Sequence, residues 1–266
     1  MTASPTATPT PRPGDSYVQS FARGLEVIRS FSTDAPRQTL TEVAQHAGLT
    51  RAGARRILLT LQTLGYVESD GRLFSLTPRI LDLGFAYLSS MPMWNLAEPV
   101  MEDLVERVKE SCSAAVLEGS DIVYVLRVPT HKIMKINLGV GSRLPACFTA
   151  LGRVLLASLP DEDVIARLEA TPRTALTRHT VTGIKPLLAR IRQARTQGWC
   201  LLDQELEEGL VSIAAPIVDR RGQTIAALNV SGQVNRVGVD AMQQQVLPQL
   251  LAATEAISQR LQAQGR

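Results

Sequence analysis

Apolar spacing along the chain changes character near residue 90. Before it come short helical stripes. Phe21, Leu25 and Ile28 recur at helical spacing between Ser20 and Phe31, with polar residues between them. Ser32 to Gln38, with Pro36 inside, is polar and reads as a loop. Thr39 or Thr41 can cap a short helix carrying Val43, Ala44 and Ala47, which Gly48 ends. Thr50 caps the next helix, with Ile57, Leu58, Leu61 and Leu64 on one face and Gly65 as its stop. Tyr66-Val67-Glu68 and Arg72 to Leu76 flank Ser69-Asp70-Gly71, and Asp-Gly between β-type runs predicts a hairpin. Thr77-Pro78 then opens a further helix. Its Ile80, Leu81, Leu83, Phe85, Tyr87 and Leu88 lie nearly all the way round, which predicts burial on several sides.

Beyond residue 90 strands and helices mix. Apolar or alternating runs at Ala114–Leu117, Ile122–Val128, Ile133–Leu138, Val211–Val218 and Thr224–Val230 predict strands. Helical patterns occupy Leu96–Glu110, Ala150–Leu159, Glu162–Leu168, Gly183–Gln197 and Val239–Gln262. Long helices open and close this region, so the expected class is α+β: an antiparallel sheet flanked by helices, rather than a doubly wound parallel sheet. The expected division is 1–16 a disordered tail, 17–76 a winged helix-turn-helix, 77–90 a linker helix and 91–266 a second domain.

Composition narrows the class. At 45% hydrophobic and 20% charged residues, the chain can bury a core and is not a largely disordered one. No run of 18 apolar residues exists, so no membrane helix is expected. The first 15 residues hold four prolines and no apolar stretch, which fits a tail and not a signal peptide. Three cysteines, Cys112, Cys147 and Cys200, are far apart and lack metal spacing, so no metal or cofactor is expected and a reducing cytoplasm fits best. The net charge is only +3, which does not announce a nucleic-acid binder. Of the 28 basic residues, however, 24 are Arg, and residues 1–90 contain no Lys. Arg forks both phosphates and guanine edges, although genome composition can produce the same bias.

Two stretches carry chemistry. Ala44, Gly48, Leu49 and Thr50 fit a tight turn between two closely packed helices. In the helix that follows, Arg51, Arg55 and Arg56 lie off the apolar stripe, with Ala52 and Gly53 between them. A helix start of small residues, capped by Thr50, can enter a major groove while the arginines reach bases or phosphates. Arg72 in the hairpin is placed for a further phosphate contact. An ordinary solvated helix would carry the same arginines; the hairpin after it favours DNA. The second stretch, Gly141 to Gly152, leads into a helix N-terminus near Thr149, where free amides favour anions. Ala150 and Gly152 would let a ligand approach, although a plain helix cap is the alternative. Asp203, Glu205, Glu207 and Glu208 read as a solvated acidic turn, since no histidine accompanies them. His46, His131 and His179 are scattered and form no triad or metal motif.

Three segments carry a family resemblance: "LTEVAQHAGLTRAGARRILLTLQTLGYVESDGRLFSLTPRILDLG", "GSRLPACFTALGRVLLA" and "DQELEEGLVSIAAPIVDRRGQTIAALNVSG". The chain resembles the IclR family of bacterial transcription regulators over residues 17–264, most closely the branch regulating aromatic-acid breakdown through protocatechuate and β-ketoadipate. The resemblance implies a winged helix, a linker helix and a GAF-like effector domain. It implies double-stranded operator DNA, a homo-oligomer (dimer or tetramer) and a small aromatic acid or dicarboxylate as partners, with no membrane and no cofactor. It places Thr149, Ala150, Leu151 and Gly152 beside the ligand, with Leu210 and Ser212 on one strand and Asn229 and Ser231 on the next. Arg143, or else Arg127, could meet a second carboxylate. The sequence departs from the branch at Phe148, where a small residue is expected, and at Ala150-Leu151, where Ser-Met is common. An enzyme is not expected. The competing readings are a winged-helix protein-interaction module and a GAF-type cysteine redox enzyme.

Overall fold

A computed structural model of the protein describes residues 17–90, 93–130 and 138–264. The expected tail, 1–16, lies outside them. The chain divides between Ala86 and Tyr87 into two compact units.

The first unit contains α1 (Gln19–Arg29), β1 (Arg37–Thr39), α2 (Leu40–His46), α3 (Arg51–Thr63), β2 (Val67–Ser69) and β3 (Leu73–Leu76). Val27, Val43, Ala44, Ala54, Leu58, Leu61 and Val67 form its core. Local chemistry sets the helix ends. The Thr39 side chain accepts from the Glu42 amide while the Glu42 carboxylate accepts from the Thr39 amide, a capping box. Gly48 takes φ +63°, and the Leu49 amide donates back to the Ala44 carbonyl at 2.8 Å, which closes α2 and turns the chain toward α3. Thr50 caps α3 by accepting from the Gly53 amide at 3.1 Å.

Two elements differ from the sequence expectation. The stretch read as a loop through Gln38 ends in β1, which pairs with β3 and gives a three-stranded sheet of order β1-β3-β2. The strand lacks apolar alternation because its buried residue is polar. Gln38 is 1% exposed, donates to the Ser30 and Ala35 carbonyls, and its Oε1 lies 2.5 Å from His46 Nδ1. After a 3-10 turn at Pro78–Ile80, α4 (Leu81–Ser89) also departs from expectation. Within one chain Leu81 and Phe85 are 70% and 69% exposed, and no residue of α4 is buried.

After the end of α4, the second unit continues with α5 (Met93–Val108). A six-stranded antiparallel sheet follows among the described residues, of order β6-β5-β4-β9-β8-β7. Its strands are β4 (Ser111–Glu118), β5 (Asp121–Val128), β6 (Arg143–Pro145), β7 (Cys200–Asp203), β8 (Leu210–Val218) and β9 (Thr224–Gln233). Between β6 and β7 run α6 (Ala150–Ala157), α7 (Asp161–Ala170) and α8 (Ile184–Gln197). The chain closes with α9 (Val239–Ala241), a π-helical turn at Met242–Val246 and α10 (Leu247–Gln264). The expected strand at Ile133–Leu138 falls outside the described residues, except Leu138. The short edge strands β6 and β7 were not expected.

Both faces of the sheet are covered, which fixes where side chains go. Cys112, Ala114, Ile213, Leu228 and Val230 pack with α5 and α10. Ala115, Ile122, Tyr124, Ala214 and Ala227 pack with α6 and α8. The α+β class and antiparallel sheet are as expected.

Candidate functional site

The helix-turn-helix and its hairpin leave most of their candidate residues exposed. Ala54, Leu58 and Leu61 anchor α3 in the core. Thr50, Arg51, Ala52, Arg55 and Arg56 are exposed, and Gly53 is half-buried beneath its cap. The β2–β3 turn is held by Asp70, whose Oδ1 accepts from the amides of Arg72 (2.9 Å) and Leu73 (2.8 Å). Those amides, with the Arg37 guanidinium beyond them, hold the Asp70 carboxyl below its ordinary range. Arg72 is left exposed at the turn.

The second site is a cavity between α6 and the sheet face beneath it. Seven of the residues expected beside a ligand line it: Thr149, Ala150, Leu151, Leu210, Ser212, Asn229 and Ser231. At its helical wall Thr149 caps α6, its side chain accepting from the Gly152 amide at 2.9 Å. Ala150 and Leu151, the first residues of the helix, have no carbonyl one turn back, so their amides are the natural anion donors.

The sheet wall is polar across three neighbouring strands. Ser212 on β8 faces Ser231 on β9, and Ser231 and Asn229 face Ser111 and Ser113 on β4. Asn229 Nδ2 donates to Ser212 Oγ (2.9 Å) and Ser231 Oγ (2.8 Å), and the two hydroxyls lie 3.0 Å apart. Asn229 is 6% exposed, yet its Oδ1 has no hydrogen-bond partner. Leaving such an acceptor unpaired costs on the order of 1–3 kcal/mol.

A β-bulge delivers a cation to the same wall. Ala114 pairs with Leu126 and Ala115 with Tyr124, so Val125 is an extra residue on β5. It reverses the alternation beyond it. Leu126 and Val128 pack toward α5 and α10, while Arg127 joins Tyr124 in lining the cavity. Burial pushes the Tyr124 phenol up to about 12, against the opposing pull of Arg127, so it stays a neutral donor.

Three expectations are corrected. Arg143 lies outside the cavity: on β6 it binds Glu118 Oε2 at 2.5 Å and Asp121 Oδ2 at 3.3 Å, on an exposed edge. Gly152 does not line the cavity either; a Cβ there would stand 2.1 Å from the Ala146 carbonyl oxygen, so its role is close packing of α6 on the preceding turn. The acidic turn is not wholly solvated. Glu205 is 8% exposed, lines the cavity and forks Arg153, itself 1% exposed, at 2.9 and 2.6 Å. Arg153 also donates to the Cys147 carbonyl at 2.9 Å. Sequence reasoning missed Ser111, Ser113, Tyr124 and Glu205. The two-residue spacing of Ser111 and Ser113 was the available signal.

All three cysteines are buried and reduced. Burial raises each thiol, Cys147 and Cys200 to about 11, so none is a nucleophile near neutral pH. Among the described residues no group of acidic, His and Cys side chains could hold a metal ion, and no helix is long and apolar enough to cross a membrane.

The IclR helix-turn-helix domain matches residues 20–71, and the C-terminal region of the bacterial transcriptional regulator IclR matches residues 85–259. The chain belongs to the IclR family. Its relatives include the Pca regulon regulatory protein of Pseudomonas putida, 43% identical over 246 residues, which are 92% of this chain and 84% of that protein. A solved chain from Rhodococcus sp. RHA1 is 47% identical, with a TM-score of 0.85 over 94% of this chain and all of that one (100%). An IclR homolog from Microbacterium hydrocarbonoxydans, solved in complex with 4-hydroxybenzoate, is 26% identical. It matches with a TM-score of 0.80 over 92% of this chain and 100% of that one. This IclR-family chain thus combines a winged helix-turn-helix with a cavity-bearing C-terminal region.

The buried Arg153–Glu205 pair yields a stability prediction. Arg153→Ala leaves Glu205 without its countercharge and should destabilise the second unit by about 3–5 kcal/mol. Arg153→Met combined with Glu205→Leu should recover most of that loss. Urea unfolding checks both, and equal destabilisation by the single and double variants would contradict the pairing.

Proposed function

We propose that the protein is a ligand-responsive transcription regulator controlling genes of aromatic-acid breakdown, with a small carboxylate as effector. The observation that carries this reading is one cavity lined by Arg127 and the Ser212–Asn229–Ser231 cluster on its sheet wall and by Ala150 and Leu151 at its helical wall, on a chain that also holds a winged helix. The relatives support it: one is named for the Pca regulon and another was solved with 4-hydroxybenzoate.

In this reading residues 17–76 bind the operator and 77–90 link to an effector-binding region, 91–266. The start of α3 enters the major groove, where Thr50, Arg51, Ala52, Gly53, Arg55 and Arg56 meet bases and phosphates, and Arg72 touches the backbone from the hairpin. The effector carboxylate sits at the Thr149–Leu151 helix start, with Arg127 as its countercharge in place of the second-carboxylate role that the resemblance implied for Arg143 or Arg127. Leu210, Phe148 and Leu151 supply apolar contact for a ring. The exposed Leu81, Leu83, Phe85 and Tyr87 of α4 form part of a dimer interface, and two such dimers can pair into a tetramer. Two-fold symmetry then calls for an inverted or similarly spaced operator. The buried, proton-bearing thiols speak against a cysteine redox enzyme. The exposed arginines on α3 favour DNA over a protein partner. A protein that binds operator DNA acts in the cytoplasm, where that DNA lies.

Two measurements test the reading. Replacing Arg51, Arg55 and Arg56 together with Ala should abolish measurable binding to the protein's own promoter region in fluorescence anisotropy. Each single replacement of a phosphate-contacting Arg should lower the salt slope by about one unit. Unchanged binding by the triple variant would remove α3 from the DNA interface. For the cavity, Arg127→Met should weaken 4-hydroxybenzoate binding about tenfold or more in calorimetry, with ligand-free promoter binding retained. Equal affinity in the two proteins would remove Arg127 from the carboxylate site.

A further inference from the structure

The outer side of α3 carries an apolar side chain among its cations. Ala54, Leu58 and Leu61 turn toward the core. At 3.6 residues per turn, the side opposite them is the row Ala52, Arg56, Leu59 and Thr63, with Arg55 and Gln62 along one margin. Leu59 is 43% exposed in the middle of that row. The threonines beyond Arg56 use their hydroxyl protons within the helix. Thr60 Oγ1 donates to the Arg56 carbonyl and Thr63 Oγ1 to the Leu59 carbonyl, each at 2.9 Å. Past Arg56, then, the row itself offers no free side-chain donor and one long apolar side chain. An exposed leucine alone is ordinary. This one shares its row with Ala52 and Arg56 and lies one turn past Arg55, on the surface given above to the operator.

We infer that Leu59 reads sequence, by packing its side chain against the C5-methyl group of a thymine in the major groove. This rests on the operator reading above and names one of its specificity contacts. The thymine methyl is the apolar feature that a base edge presents in that groove, so it is the natural complement of an apolar side chain flanked by guanidiniums. Arginines on phosphates hold any duplex; a methyl contact adds a contribution that only one base supplies. Leu59 lies seven residues past Ala52. That is about 10 Å along the helix axis, and base pairs stack at about 3.4 Å. The thymine therefore stands about three steps from the base pair facing Ala52, and α3 lies along the groove instead of entering it by its tip alone.

The test replaces thymines of the protein's own promoter fragment by deoxyuridine, one symmetry-related pair at a time. The replacement removes the methyl and keeps the base pair. Binding of the full chain is read by fluorescence anisotropy. The expected result is a position at which the unmodified protein loses about fourfold or more in affinity, the scale of one buried methyl-sized group. Leu59→Ala should show no loss at that position, while Leu59→Met, which keeps a long apolar side chain, should retain the sensitivity. Because Leu59 is exposed, both variants should keep the urea midpoint of the unmodified protein, which separates a lost contact from a lost fold. Indifference of the unmodified protein to every deoxyuridine, or equal sensitivity in that protein and Leu59→Ala, would overturn the thymine contact and leave the operator reading standing. No binding of the unmodified protein to the promoter fragment would overturn the operator reading along with it.

Discussion

A polar group taken out of water must find a partner inside the protein, and the second unit is organised around that requirement. Its sheet is covered by helices on both faces, which ordinarily calls for apolar side chains throughout. At one end of the face toward α6, five polar side chains stand instead: Ser111, Ser113, Ser212, Asn229 and Ser231. Most of their needs are met by one another and by the backbone; Ser111, for example, accepts from the Thr130 amide at 3.1 Å. The remainder is centred on Asn229 Oδ1, which is buried without a hydrogen-bond partner.

Other features serve this wall. The bulge at Val125 lets a single strand send Tyr124 and Arg127 to the same side. Gly152 lets α6 settle against Ala146, bringing the helix start over the serines. The Arg153–Glu205 fork ties α6 to the β7–β8 turn. Further bonds from Thr177 and Thr180 to the Gln204 and Glu205 carbonyls fasten that turn from its other side. A buried ion pair is a weak source of net stability but a strict specifier of geometry when both partners are fully hydrogen-bonded. Here it sets the position of one cavity wall relative to another.

Much of this was legible in the residues. Threonine caps, glycine stops and an Asp-Gly turn marked α2, α3 and the β2–β3 hairpin because each rests on local chemistry. The family resemblance, not local chemistry, put Leu210 and Ser212 on one strand and Asn229 and Ser231 on the next, and the sheet register agrees. What escaped the sequence depends on contacts between distant segments. β1 hides a buried Gln38 that only Ser30, Ala35 and His46 make tolerable. A bulge is invisible to alternation because it consists of breaking it, so Arg143 and Arg127 could not be told apart. Glu205 looked like its solvated neighbours because its partner, Arg153, is 52 residues away. The apolar girth of α4 predicts burial on several sides, and within the single chain no α4 residue is buried.

The most direct measurement is a crystal structure of the full chain with 4-hydroxybenzoate. The expected density lies in the α6 cavity, with the carboxylate within hydrogen-bond distance of the Ala150 and Leu151 amides and beside Arg127, and the rest of the ligand toward Ser212 and Ser231. A ligand bound outside that cavity, or lying in it with its carboxylate turned to Asn229, would contradict the account.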